Sequence, residues 1–388
     1  MMTILACAPQ HRSPVPSALT LVKTDWSRVT TFLDSAVAAG AAPGAVLGVT
    51  VGGNRFVYAT GRLGSGEVAP AEPTTVYDLA SLTKVVALTT AVMVAVDDGR
   101  LDLDAPVHRY VPAFMGEGKD RITIRMLLAH AGGIPAWRPL FRETGTRAEA
   151  FALVNSTGLV SPPATAANYS DLGMIVLTQA VEAVYHERLD SLLARRIFQP
   201  LGMTSVEFLP TAERARIAPT ELDPWRGRLL RGEVHDENAA RLDGVSGHAG
   251  LFGSVPDLLT FSEWVLADRR TGGQAKDLLG RLGPSDRPTV RPSVVHEFTR
   301  RQDLAPGSSR ALGWDTPSTG SSAGRLLSDT SIGHTGYTGT SLWIDPERRL
   351  GIVLLSNRVN PTRDNPRWAP VRAAVADLVM TTLFEDAR

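Results

Sequence analysis

Along the chain, apolar side chains first recur at helical spacing: Trp26, Val29, Phe32, Leu33, Ala36 and Val37 share one stripe. The pattern predicts a helix capped by Thr24 and running to about Ala39. A β-branched run from Ala45 to Val51 then breaks at Gly52-Gly53-Asn54 and resumes over Arg55 to Thr60, as a hairpin does. Near the other end, Ser341 to Ile344 and Leu350 to Ser356 flank the turn Asp345-Pro346-Glu347-Arg348, a second hairpin. A last helix is expected to open with Asn365 as cap and Pro366 at its first position, and to run through Trp368, Val371, Val375, Leu378 and Leu383. Between the two hairpins lie helical patterns at Ile124 to Leu128, Asp171 to Val184 and Leu189 to Ile197. Both ends of the chain supply elements of the same kind. The economical assembly is an α+β fold: one antiparallel sheet built from both ends and covered by helices, with the middle forming a second, mainly helical lobe.

This organisation implies a flexible N-terminal segment over residues 1–22, followed by one domain over residues 23–388. The sheet lobe is expected over about 23–100 and 259–388, and the helical lobe over about 101–258. Thr271 to Pro292 and Asp303 to Ala323 are rich in Gly, Ser, Pro and Arg and read as long surface loops.

Composition narrows the functions that fit. Forty basic residues balance forty acidic ones, so no bulk field attracts nucleic acid or an anionic membrane, and a small neutral or weakly charged substrate fits better. A lone cysteine, Cys7, excludes an intramolecular disulfide and a cysteine-built metal site. No apolar run is read as approaching the roughly 18 residues a membrane span needs, so no transmembrane segment is expected. The start, MMTILACAPQ, lacks the positive and apolar regions of a complete export signal, although Ile4-Leu5-Ala6-Cys7 resembles a lipoprotein cleavage site. The chain as written therefore reads as cytoplasmic, and as extracytoplasmic if a leader precedes it.

Chemistry concentrates at three places. In Asp78-Leu79-Ala80-Ser81-Leu82-Thr83-Lys84, a serine and a lysine three residues apart open the apolar stretch Val85 to Val96, where they share a helical face. Lys84 is the only charged residue between Asp78 and Asp97, and an isolated lysine in such a run needs a reason to be there. The helix N-terminus would offer free N–H groups to an oxyanion at Ser81, and apolar surroundings would depress the lysine pKa into a neutral base. The plainer reading makes Ser81 a cap and Lys84 a surface residue. The second place is Asn168-Tyr169-Ser170-Asp171, where Tyr169 could relay a proton. Taken alone, the cluster is more often a helix start with Ser170 or Asp171 as cap. The third is Gly333-His334-Thr335-Gly336-Tyr337-Thr338-Gly339, whose glycines admit a substrate backbone and whose His334 and Thr335 can bond a carboxylate or carbonyl. Taken alone, it is more often a glycine-rich turn with a surface histidine.

Taken in order, Ser81/Lys84, Tyr169/Asp171 and His334/Thr335/Gly336 resemble the Ser-x-x-Lys, Tyr-x-Asn and Lys-Thr-Gly or His-Thr-Gly series of the penicillin-binding protein and class C β-lactamase superfamily, which includes family VIII-type esterases and D-peptidases. The flanks Ile122 to Gly133 and Gly247 to Gly253 also look like this superfamily, and the resemblance covers roughly residues 25–385. It implies an α/β/α sandwich of the β-lactamase and transpeptidase kind. It also implies an acyl-enzyme formed on Ser81, proton handling by Lys84 and Tyr169, and an oxyanion hole from the backbone N–H groups of Ser81 and Tyr337. Asp171, His334, Thr335 and Gly336 would then contact a small ester, peptide or β-lactam substrate, with no metal or other cofactor. Two positions depart from the pattern. Asp171 stands where many members carry Asn, and would keep Lys84 protonated unless it points away or is neutral. His334 stands where β-lactamases usually carry Lys, which removes a cation from the carboxylate pocket. Both departures favour hydrolysis of esters or D-residue peptides over efficient β-lactam turnover. A β-lactamase or β-lactam-sensitive carboxypeptidase is the second reading, and a non-catalytic protein that binds or senses acyl or peptidoglycan fragments the third.

Rival motifs are weaker. Gly320-Ser321-Ser322-Ala323-Gly324 matches a nucleophile elbow but lacks the strand before it and the helix after it. His235-Asp236-Glu237 are adjacent, and neighbours in sequence rarely point at one ion. His130 and His248, in Gly-rich turns, read as structural.

Overall fold

The computed structural model describes residue 21 and residues 23–268 and 290–384. The expectations for residues 1–20, and for all but the end of the stretch Thr271 to Pro292, lie outside the described residues. The longer elements are α1 (Ser27–Ala38), β1 (Gly44–Val51), β2 (Asn54–Gly61), α2 (Thr90–Asp97), α3 (Asp171–Tyr185), α4 (Val255–Asp268), β3 (Ile332–Thr335), β4 (Ser341–Asp345), β5 (Leu350–Ser356) and α5 (Ala369–Leu383). Both predicted hairpins form, and pairing of β1 with β5 from Ala45 opposite Ser356 to Val51 opposite Leu350 joins them. The result is one antiparallel sheet in the order β2-β1-β5-β4-β3.

Side-chain alternation sorts the two faces. Ala45, Leu47, Val49 and Val51 of β1, with Ile352 and Leu354 of β5, pack against Val29 and Leu33 of α1 and Val371, Val375 and Val379 of α5. Val46, Val353 and Leu355 point the other way, toward Leu258, Leu259 and Phe261 of α4. A Cβ on Gly48 would lie 2.3 Å from Val255 Cγ1, so glycine in the middle of β1 is what lets α4 come down onto the sheet.

Helix starts differ from the prediction. Trp26, not Thr24, occupies the α1 cap position, and Asp25 Oδ1 accepts the Ser27 N–H at 2.9 Å. Likewise α5 begins at Ala369 with Pro370 in its first turn. Asn365 is committed elsewhere: its Nδ2 donates to the carbonyls of Gly40 (3.0 Å) and Ala41 (3.1 Å) and holds the α1 exit against the C-terminal segment.

The apolar segment holding Ser81 departs from regular helix. It runs through a 3-10 turn (Ala80–Leu82) and a π-helical stretch (Lys84–Thr89) into α2. Contrary to the expectation from sequence, Ala80–Asp97 is long and apolar enough to cross a membrane, but 83% of it is buried inside the protein. A helix apolar on every side is what the centre of a large core requires. A small sheet of Tyr77–Asp78, Leu251–Gly253 and Glu207–Phe208 abuts its start. Strands of two or three residues carry no periodicity, so the sequence gives no sign of it.

Trp368, fully buried just before α5, donates its indole N–H to the Gly339 carbonyl at 2.7 Å. Trp368→Ala is expected to cost about 3–5 kcal/mol in urea unfolding. A loss below about 1 kcal/mol, typical of surface changes, would contradict this packing.

Candidate active site

Three segments converge on Ser81. The small sheet delivers the chain to Asp78, whose Oδ1 accepts the Ala80 N–H at 2.8 Å. Ala80 takes a left-handed φ of 47°, uncommon for a side-chain-bearing residue, and this turn presents Ser81 to the cavity. One turn on, Lys84 has no solvent exposure, and its Nζ donates to Ser81 Oγ at 2.9 Å and to the His248 carbonyl at 2.9 Å. Asp171 Oδ1 lies 2.7 Å from the same nitrogen. The serine and lysine are therefore paired as their spacing predicts, and the surface-lysine reading is excluded.

Tyr169 and Asp171 arrive at the start of α3. Ser170 is the helix cap, with its Oγ accepting the Gly173 N–H at 3.0 Å, so the capping reading of this cluster holds. The Tyr169 ring lies under the Lys84 ammonium, 4.9 Å from ring centroid to Nζ. His130 packs on this ring at 4.6 Å between centroids, and its Nδ1 accepts the Ser170 N–H at 3.1 Å. His334 approaches the ring at 5.9 Å. It is buried on the edge strand β3 rather than at the surface, with Nδ1 donating to the Thr335 carbonyl at 2.8 Å.

Gly336 closes the arrangement. A Cβ there would lie 2.5 Å from the Leu79 carbonyl and 3.3 Å from Ala80 Cβ, so the end of β3 rests directly on the turn that holds Ser81. Tyr337 follows at the cavity lip, half exposed.

The electrostatics depart from the expectation in one respect. Burial pulls the Lys84 pKa down, but the charges of Asp171 and Tyr169 outweigh it, and Lys84 is raised above the ordinary lysine value. The sequence left the charge of Lys84 to the direction of Asp171; Asp171 points at Lys84, which favours the ammonium over the neutral amine. Burial raises Tyr169, against the pull of Lys84. His334 is held well below the usual histidine range by burial, then by Arg310 and Lys84, and so is neutral at pH 7. His130 is lowered for the same reasons.

The cavity, about 530 Å³, is bounded by Ser81, Tyr169, His334 and Tyr337, and it also draws in residues that the sequence reading did not single out. Arg310 stacks over Tyr169 at 5.4 Å, from within the stretch read as a surface loop. That stretch is irregular, but Leu312 and Trp314 are buried, which turns Arg310 inward. Arg358 donates to the Tyr337 carbonyl at 2.9 Å, and Arg372 to the Gly336 carbonyl at 2.6 Å. Burial, then the neighbouring Arg358, pulls Arg372 down to about 10, which still leaves it charged at pH 7. Among the described residues none of these three arginines forms an ion pair, and Asp315 is the one carboxylate lining the cavity. No local pattern marks such residues, because they meet only when β3, α5 and the 303–323 segment are brought together.

Other motifs fall elsewhere. Ser322 Oγ accepts the Trp343 indole N–H at 3.0 Å, away from this cavity. His235, Asp236 and Glu237 diverge to Glu221, His248 and Arg363 respectively.

A three-layer sandwich with a buried lysine beside a serine at the mouth of a cavity defines the scaffold of the β-lactamase and penicillin-binding serine hydrolases. The family model described as Beta-lactamase matches residues 29–377, and the chain belongs to that family. A Salmonella gallinarum protein named "Putative D-alanyl-D-alanine carboxypeptidase" is 32% identical over 330 residues, covering 76% of this chain and 72% of the relative. Among solved structures, EstCE1, titled a hydrolase with promiscuous acyltransferase activity, superposes with a TM-score of 0.71 at 20% identity, over 94% of this chain and 99% of that one. A class C β-lactamase from Rhodobacter sphaeroides gives 0.68 at 23% identity, over 92% and 99%. Both share the fold.

Asp171→Asn removes the charge that holds the proton on Lys84. Since Lys84 accepts a proton only in its neutral form, the acid limb of the pH–rate profile for acylation is expected to move to lower pH. An unmoved limb would mean that Asp171 does not control Lys84.

Proposed function

We propose that the protein is a serine hydrolase that forms an acyl-enzyme on Ser81, acting on esters or on peptides with D-residues whose leaving portion carries an anionic group. The 2.9 Å contact between Lys84 Nζ and Ser81 Oγ at the cavity wall carries the reading. In its neutral form Lys84 takes the serine proton, Tyr169 relays a proton to the leaving group, and the backbone N–H groups of Ser81 and Tyr337 receive the oxyanion. The serine oxygen bonds the carbonyl carbon, the leaving alcohol or amine departs with the proton, and water later cleaves the acyl-serine ester. His334, held neutral, lends Nε2 as an acceptor beside Thr335 and Gly336. The positive charge for an anionic substrate comes instead from Arg310, Arg358 and Arg372. The names of the carboxypeptidase relative and of EstCE1 support the two substrate classes.

The ion pair between Asp171 and Lys84 favours one alternative, a protein that binds acyl or peptide ligands and acylates slowly. Intact-protein mass spectrometry after brief exposure to a fluorophosphonate, and separately to a penicillin, separates the two. An adduct is expected on the wild type and not on Ser81→Ala, which should stay folded because a serine at a helix start is worth only about 1 kcal/mol. An adduct that persists in Ser81→Ala would remove Ser81 as the nucleophile, and no adduct with either reagent on folded protein would favour the slow binder.

Arg372→Met is expected to raise KM roughly tenfold more for a peptide ending in a free carboxylate than for a neutral ester, the loss of one charged hydrogen bond, while kcat falls alike for both because Arg372 also holds the Gly336 carbonyl beside the Tyr337 N–H. Equal KM effects on both substrates, measured by steady-state kinetics, would count against an anion-binding role.

A further inference from the structure

Lys84 Nζ hydrogen-bonds Ser81 Oγ and the His248 carbonyl and pairs with Asp171 and Tyr169, and the His248 carbonyl is the one of these partners not supplied by a side chain. It belongs to irregular backbone between the short helix Glu237–Arg241 and the strand Leu251–Gly253, where a peptide group can rotate unless something holds it. Here the holding is specific. The His248 ring, 1% exposed, is clamped at both nitrogens: Nδ1 meets Ser246 Oγ at 2.7 Å and Nε2 meets Asp236 Oδ1 at 2.9 Å. Asp236 Oδ1 also accepts the Ala239 N–H at 2.7 Å. One residue earlier, the His235 N–H donates to Asp78 Oδ2 at 2.7 Å, and the other oxygen of Asp78 holds Ala80 beside Ser81. The clamp on the lysine's acceptor is thus tied to the serine's own turn.

Burial would raise the Asp236 pKa, but the His248 contact, the Ala239 N–H and the Lys84 charge together hold it well below the usual carboxylate range, so it stays ionised. Filling space does not call for such a group, since apolar side chains of similar volume would avoid its desolvation cost. None of Asp236, His248 and Ser246 lines the substrate cavity, so none is placed to contact substrate.

We propose that Asp236, His248 and Ser246 form a positioning chain for Lys84: the first and last fix the imidazole ring, and the fixed residue aims its carbonyl at Nζ so that the ammonium stays directed at Ser81. Without this carbonyl, Asp171 at 2.7 Å would draw the ammonium to itself and away from the serine oxygen. The inference rests on the reading that Lys84 serves Ser81.

The chain has four lysines, Lys23, Lys84, Lys119 and Lys276, so protein labelled with 13C at the lysine ε-carbon yields few NMR signals, and Lys84→Ala assigns the one that matters. The titratable groups facing Lys84 are Asp171 and Tyr169 at the start of α3, His130, His334 on β3 and, across His248, Asp236. Asp236→Asn keeps the shape and deletes the charge, and Ser246→Ala deletes one oxygen. Each variant is expected to shift the Lys84 signal, and Asp236→Asn to move its titration to lower pH, with the other three lysines unmoved. The rate constant for acylation should fall about 10- to 100-fold with little change in KM, as a displaced catalytic group predicts. An unmoved Lys84 signal in a folded variant overturns the proposal, even if activity falls, because the chain would then only support the fold. If one variant fails to fold, the other decides; if both fail, the chain serves stability and the proposal falls. Undiminished acylation in Lys84→Ala would instead overturn the functional reading, while the Lys84 signal still decides the positioning question.

Discussion

A lysine ammonium removed from water needs partners for its charge and its N–H bonds, and the centre of this protein is arranged around that demand. Leaving such a cation unpaired would cost several kcal/mol, so its burial depends on two distant segments reaching it beside its neighbour Ser81. Ser81 comes from one turn earlier, Asp171 from the start of α3 and the His248 carbonyl from the stretch before the small sheet. Satisfying the lysine therefore assembles the site: the groups that make its burial tolerable are the proposed nucleophile and its immediate surroundings.

The same low-dielectric setting decides which groups are charged. His130 and His334 cannot compete with nearby Lys84 and Arg310 for the right to be cationic in a buried space, so they remain neutral and act as hydrogen-bonding and packing groups around Tyr169. Positive charge is left to arginines, which resist deprotonation even beside one another, as Arg372 does next to Arg358. A chain with no net charge thus holds a strongly cationic cavity, and its neutrality says little about the substrate it attracts.

Much of the framework was legible because it is written in near neighbours. Alternation and turn residues located both hairpins, and the helical repeats at Ile124 to Leu128 and Asp171 to Val184 fall where helices form. Helix starts were less legible, since Asn365 and Thr24 are plausible caps by residue type alone. Asn365 instead bonds the α1 exit, a partner more than 300 positions away that no local pattern announces. The burial of His334 is illegible in its local pattern for a related reason: it depends on β3 joining the edge of a sheet begun at the other end of the chain.

By itself, then, the sequence determined the two hairpins and the longer helices, the pairing of Ser81 with Lys84 and the order of the three motifs, because spacing along a helix or strand dictates which side chains share a face. Only the tertiary structure decided the protonation of Lys84, the direction of Asp171, the arginine wall of the cavity and the clamp on the His248 carbonyl. These depend on distances between segments far apart in the chain, and on the balance of desolvation against charge at each group, quantities that exist only once the chain has folded.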